Sequence, residues 1–119
     1  MPIQLQQNTQ TPFIGGKNIL ASTHFQFKEV GATLDATKFP VGKVEVGTAL
    51  ARNEGTGKYE PFTTVTGYDD FVVLNIDFIN DGVTDTHVGE LLVRGSVYKA
   101  KLVGVTDEFK AKTPMIRYV

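Results

Sequence analysis

Hydrophobic and polar residues alternate along most of this chain in short stretches cut off by glycine, and stretches of that kind predict strands. Phe25 and Phe27 fall on one face opposite Gln26 and Lys28, and Gly31 closes the run. Residues 33–38 read as a turn or a single helical turn ended by Pro40, after which Val44, Val46 and Thr48 alternate with Glu45 and Gly47. Staggered glycines in such a strand mark a bulge or a close backbone approach. Residues 71–79 open as a continuous apolar run and then alternate. Leu74, Ile76 and Phe78 take one face and Asn75 and Asp77 the other, which predicts a central strand buried at its start. Asn80-Asp81-Gly82 is a turn signal. The longest predicted strand covers residues 90–102, with Leu91, Val93, Gly95 and Val97 on one face and Leu92, Arg94, Ser96 and Tyr98 on the other. Thr106 then caps a short helix with Asp107 and Glu108 in its first turn and Lys110 and Lys112 near its end, the charge order that the helix dipole favours. Thr113-Pro114 stops that helix, and residues 115–119 return as a terminal strand. The expected fold is therefore mainly β with short helical turns, over residues 18–119.

Residues 1–17 follow a different rule. Lys17 is their first charged side chain, Pro2 and Pro12 interrupt them, and Gly15-Gly16 loosens their end. They hold too little apolar area to offset an ordering cost of about 1–2 kcal/mol per residue. The sequence predicts an extended, mobile N-terminal arm. Ile3-Gln4-Leu5-Gln6 alternates with period two, as a strand laid along another protein's sheet edge would. Fully extended, such an arm reaches on the order of 50 Å.

Composition narrows the function classes. A chain of 119 residues that is 41% hydrophobic and 21% charged describes one ordinary soluble domain. A formal net charge of -1 argues against nucleic acid as a partner, since phosphate binding needs a concentrated basic excess. With no cysteine, disulfide staples and thiolate metal sites are excluded, and synthesis in a reducing cytoplasm is the matching expectation. No basic start followed by an apolar core marks a signal peptide, and the longest apolar block, residues 71–74, is too short to span a bilayer.

The candidate chemistry is thin. Glycines precede Lys58 as in a phosphate loop, but Arg52 stands where that loop needs its first glycine and Tyr59 where it needs Ser or Thr. A dinucleotide fingerprint fails at Glu60, and residues 53–58 read as a turn. Asp77, Asp81, Asp85 and Glu90 suggest a calcium loop, yet the EF-hand register puts Ile79 and Val88 at ligand positions. A looser carboxylate cluster and a solvated acidic loop both remain open. His24 and His87 are the two histidines, and Asp85 is spaced to orient the His87 imidazole. A nucleophile and an oxyanion site are still required, and neither Ser22 nor Ser96 sits in a nucleophile elbow. The expectation is no catalytic, metal or cofactor site and no small-molecule substrate. Arg94 and Tyr98 are candidates for a subunit interface on an otherwise half-exposed strand face.

One succession of motifs runs through roughly residues 33 to 119. Pro40-Val41-Gly42 leads to Gly47-Thr48-Ala49-Leu50; a turn carries Gly57-Lys58-Tyr59; and Gly89-Glu90-Leu91-Leu92-Val93-Arg94-Gly95-Ser96-Val97 comes late. In order and spacing this resembles the phage head decoration proteins of the lambda D type. The resemblance implies a β-clip-like domain preceded by a polar N-terminal arm that orders on the capsid. It also implies a homotrimer on the outer surface of an expanded icosahedral head, made in the host cytoplasm and bound to the major capsid protein, with no membrane partner. The arm's own chemistry nominates Ile3, Leu5, Pro12, Phe13 and Ile14 as capsid contacts. Residues 18–31 carry more regular strand pattern than the arm of the shortest family members, as an added strand or a trimer contact would.

Two readings from other classes stand beside it. A small carbohydrate-binding or hydrolytic β-domain would use Asp85, His87 and the acidic loop, and would bring Tyr59, Tyr68 or Tyr98 beside those carboxylates. A tail or fibre adaptor would be equally free of cysteine and would differ in its place on the particle.

Overall fold

The computed structural model describes residues 18–119. They form a mainly β domain with short helical turns around a sheet curled into a half-barrel. The strands are β1 (Gln26–Phe27), β2 (Ala32–Leu34), β3 (Gly42–Val44), β4 (Ala49–Asn53), β5 (Tyr59–Pro61), β6 (Tyr68–Leu74), β7 (Phe78–Asn80), β8 (Thr86–Val88), β9 (Leu91–Val97) and β10 (Ile116–Tyr118), with the helix α1 (Asp107–Ala111) before the last. Among the described residues the main sheet runs β1-β9-β6-β4-β5-β2-β8, with β10 also paired to β9, while β3 and β7 form a separate two-stranded sheet. Most pairings are antiparallel; β10 with β9 and β2 with β5 are parallel.

Apolar side chains fill both faces of the middle of the sheet. Ala49, Ala51, Val73 and Leu92 enter one core with Ile19, Val97, Phe109 and Ile116. Leu50, Val72, Leu74 and Leu91 enter the other with Leu34, Phe39, Val44 and Tyr59. Burial on both faces is why residues 71–74 are continuously apolar. Each fully buried Val, Leu, Ile or Phe among them contributes about 1.5–3 kcal/mol. The helix covers the first core: Phe109 stacks edge-on to Phe62 and Phe71, with ring centres 5.1 and 6.2 Å away. Thr106 caps it as expected, its hydroxyl accepting from the Phe109 N–H at 3.3 Å.

Three predicted elements take a different course. The strand expected over residues 71–79 breaks after Leu74, because the Asp77 carboxylate accepts the Val46 N–H at 2.8 Å and carries the chain over to pair with β3. Ile76 is consequently 38% exposed instead of sharing Leu74's burial. The turn expected over residues 33–38 begins as strand through Leu34 and becomes a single 3-10 turn at Ala36–Lys38. The strand expected over residues 90–102 ends at Val97, and a 3-10 turn follows at Lys99–Lys101.

Two bulges set which side chains share a face. Phe27 pairs with Leu92 and Gln26 with Arg94, leaving Val93 as an extra residue in β9. Past that point the alternation inverts, so Val97 enters the same core as Leu92 and not the side of Leu91 and Val93. In β6 the step from Ala51↔Phe71 to Asn53↔Tyr68 likewise contains one residue too many. Asp69 and Asp70 can then both reach β4 and β5: Asp69 takes the Arg52 guanidinium in two bonds of 2.7 and 2.9 Å, and Asp70 accepts from the buried Tyr59 hydroxyl.

Candidate docking face

Each acidic side chain singled out in the sequence has a local task. Asp85 accepts from the Lys58 ammonium at 2.6 Å and from the Ala36 N–H at 2.9 Å. The lysine bond, then the backbone one, holds its carboxyl below the usual range. Asp81 accepts from the N–H groups of Val83 and Thr84, and these bonds lower its carboxyl too. Asp77 takes Val46 and lies 3.7 Å from Lys43, and Glu90 accepts from the Asn75 amide at 3.3 Å. Among the described residues no three His, Asp or Glu side chains stand close enough to hold a metal ion. The turn at residues 53–58 is built by Asn53, whose Oδ1 accepts from Gly55 and Thr56, with Gly57 at φ 74°.

The His87 ring turns away from Asp85. Its Nε2 lies 2.9 Å from the Val30 carbonyl, which can only accept, so Nε2 donates there, and Nδ1 lies 3.4 Å from the Thr33 hydroxyl. Val30 needs that support, since its φ of 58° is a left-handed conformation that costs a β-branched residue about 1–3 kcal/mol. The tyrosines go elsewhere as well. Tyr59 meets Asp70, and Tyr68 donates to Glu60 at 2.7 Å, a carboxylate that also accepts from Asn53 at 3.0 Å. Tyr98 lies at the far end of β9.

Arg94 and Tyr98 do come to one surface, and the fold adds residues that the sequence did not nominate. After the Val93 bulge, Arg94 and Ser96 point away from the first core. Arg117 of β10 stands directly opposite Ser96, and Tyr98 follows two residues on. Around them Tyr98, Met115 and Val119 are 41, 54 and 49% exposed. Phe25, at the edge of the same region, packs its ring 5.2 Å from that of Phe27. Two shallow hollows of about 430 and 440 Å³ share Thr23 and Phe25, the first bounded by Arg94 and the second by Tyr98. The Lys101 ammonium sits 4.9 Å from the Tyr98 ring centre and donates to the Asn18 carbonyl at 3.1 Å.

Charge is unevenly shared between this end and the rest. Residues 91–119 hold six basic side chains against two acidic ones, a formal +4 within a chain of -1. Ion pairs join Lys43 to Asp77, Arg52 to Asp69 and Lys58 to Asp85. Arg94, Lys99, Lys101, Lys110, Lys112 and Arg117 have no ion-pair partner among the described residues. Arginine, tyrosine and methionine on one uncompensated face are the residue types enriched where proteins dock. Residues 1–17, with the nominated contacts Ile3, Leu5, Pro12, Phe13 and Ile14, lie outside the described residues. Comparisons with known protein families, curated proteins and solved structures found no match to this chain.

Proposed function

We propose that this protein is a structural virion component of the lambda D decoration type. In this reading it binds the outside of an expanded phage capsid as a homotrimer and stabilises the shell against the pressure of internal DNA. The observation that supports the reading most is the exposed Arg94, Tyr98 and Arg117 face with Met115 beside it, because its composition suits a protein surface. The carboxylates an alternative sugar or hydrolytic site would use hold backbone amides and lysines in place. Mechanically, a protein that binds only the expanded shell stabilises that state by linkage. Three attachments on one trimer add avidity, because the second and third contacts are intramolecular. Residues 1–17 supply a further contact through Ile3, Leu5, Pro12, Phe13 and Ile14.

Electron cryo-microscopy of particles reconstituted with the full chain tests the assignment, alongside light scattering of the free protein. Density at the three-fold positions of the head is the expected result. Density at the tail would replace the reading with that of a tail or fibre adaptor, and no density on the particle would remove both.

A further inference from the structure

Val30 is the most exposed large apolar residue described, 91% open to solvent, and its backbone holds a conformation that valine resists. The turn closes where the Gly31 N–H donates to the Lys28 carbonyl at 3.2 Å, and Val30 fills the third position, a left-handed site that glycine or asparagine ordinarily takes. His87 Nε2 donates to the Val30 carbonyl at 2.9 Å, so the backbone is braced while the side chain touches almost nothing in its own chain. Elsewhere an apolar hollow of about 270 Å³ is lined by Phe39, Pro40, Val44, Pro61 and Val103. Knob and hollow lie at opposite ends of the β2–β5 pair. β2 leads away from Val30 and runs parallel to β5 at Leu34↔Tyr59, and β5 carries Pro61 further the same way. Four residue steps from Val30 to Leu34 and two from Tyr59 to Pro61 amount to about 15–20 Å along the strands, so a chain does not reach its own hollow with Val30.

We propose that Val30 of one copy seats in this hollow on a second copy of the same chain, joining copies head to tail. Phe39 and Val44 are buried and Val103 is 44% exposed, so the hollow has an apolar floor and an open wall against which one branched aliphatic side chain gains cover. Burial there gives the strained Val30 a return that its own fold does not supply. Charge suits the same pairing. Lys28 and Glu29 precede Val30, while Lys43 and Glu45 border the hollow, so each side brings one base and one acid to set against the other's. The contact joins two different patches, and heterologous contacts of this kind close into rings when the rotation per step allows. A homotrimer is one such ring. The contact uses no residue of the Arg94 face, and the inference concerns the isolated chain whether or not that chain binds capsids.

Analytical ultracentrifugation of the full chain over a concentration series tests this. The unaltered chain should self-associate, and Val30→Asn and Val103→Glu should each weaken association by about 10–100-fold, the worth of one buried valine. Both positions are exposed, so circular dichroism should show both variants folded. Asparagine tolerates the left-handed backbone, so Val30→Asn should hold or raise the urea midpoint of the dilute chain while association falls. The decisive arm mixes the two variants. Val30→Asn keeps an intact hollow and Val103→Glu keeps an intact knob, so together they should form a one-to-one complex at concentrations where neither associates alone. A monomeric unaltered chain, association unchanged in either variant, or no complex in the mixture would each overturn the proposal. So would a loss of stability in Val30→Asn that accompanies its loss of association, because Val30 would then be acting within its own fold. Self-association of the predicted kind by a chain that leaves heads undecorated would keep this inference and remove the proposed function.

Discussion

Replacing Asn80 tests how the separate β3–β7 layer is tied to the main sheet. Asn80 is 1% exposed, and its Nδ2 lies 3.0, 3.1 and 3.2 Å from the carbonyls of Ala36, Phe39 and Pro40. Its Oδ1 accepts from the Gly82 N–H at 3.3 Å. In Asn80→Ala, Pro40 is exposed and its carbonyl can turn to water, while those of Ala36 and Phe39 belong to buried residues. Two stranded acceptors at about 1–3 kcal/mol each give an expected loss of about 2–6 kcal/mol. For a domain of this size the melting temperature falls by roughly 10–20 °C. Urea denaturation followed by circular dichroism reads the loss directly, with the slope against urea unchanged. Asn80→Asp supplies the diagnostic contrast: a carboxylate aimed at carbonyls is worse than alanine at neutral pH and recovers in acid, where it regains a proton to donate. A loss in Asn80→Ala within about 0.5 kcal/mol of zero, the scatter of ordinary surface substitutions, would refute the reasoning.

Three further outcomes follow. Burial and Asp70 raise the Tyr59 phenol, Glu60 raises that of Tyr68, and burial raises that of Tyr118, so the folded state favours the neutral forms. Stability should hold up to the unfolded value of 10.0 and decline above it, and an alkaline urea series with no decline would contradict this. Gly31, at φ 65°, would drive a side-chain carbon into the Val88 carbonyl, whereas Gly57, at φ 74°, has open space around it. Gly57→Ala should cost about 1–2 kcal/mol and Gly31→Ala clearly more; equal denaturation midpoints would show that β8 yields. Arg94→Glu with Arg117→Glu takes residues 91–119 from a formal +4 to zero. If the proposed function holds, affinity for expanded heads should drop and lose its salt dependence, and binding equal to the unaltered chain's across a salt series would exclude this face.

Elements governed by neighbours in sequence were legible. The turn at residues 53–58, the Asn80-Asp81-Gly82 turn, the Thr106 cap and the strand after Pro114 each rest on chemistry within a few residues. The apolar run at residues 71–74 announced burial on both faces. What escaped depends on distant partners. Asp77 reads as an exposed alternation until Val46 arrives to be capped, which breaks the predicted strand. The Val93 bulge exists only against β1, and it inverted the faces assigned to β9. Arg94 and Tyr98 were nominated, whereas Arg117 and Met115 join them only because β10 pairs in parallel with β9, a register that no local pattern encodes. Asp85 and His87 looked like partners at a spacing of two, but Lys58 and the Val30 carbonyl engage them separately.

The most direct measurement of the proposed function is co-sedimentation of the purified chain with undecorated, expanded phage heads, run beside a chain lacking residues 1–16. The account predicts saturable binding that weakens sharply on truncation, with the β domain retaining a residual affinity through its Arg94 face. Absence of saturable binding by the full chain, under conditions where the heads remain intact and expanded, would contradict it.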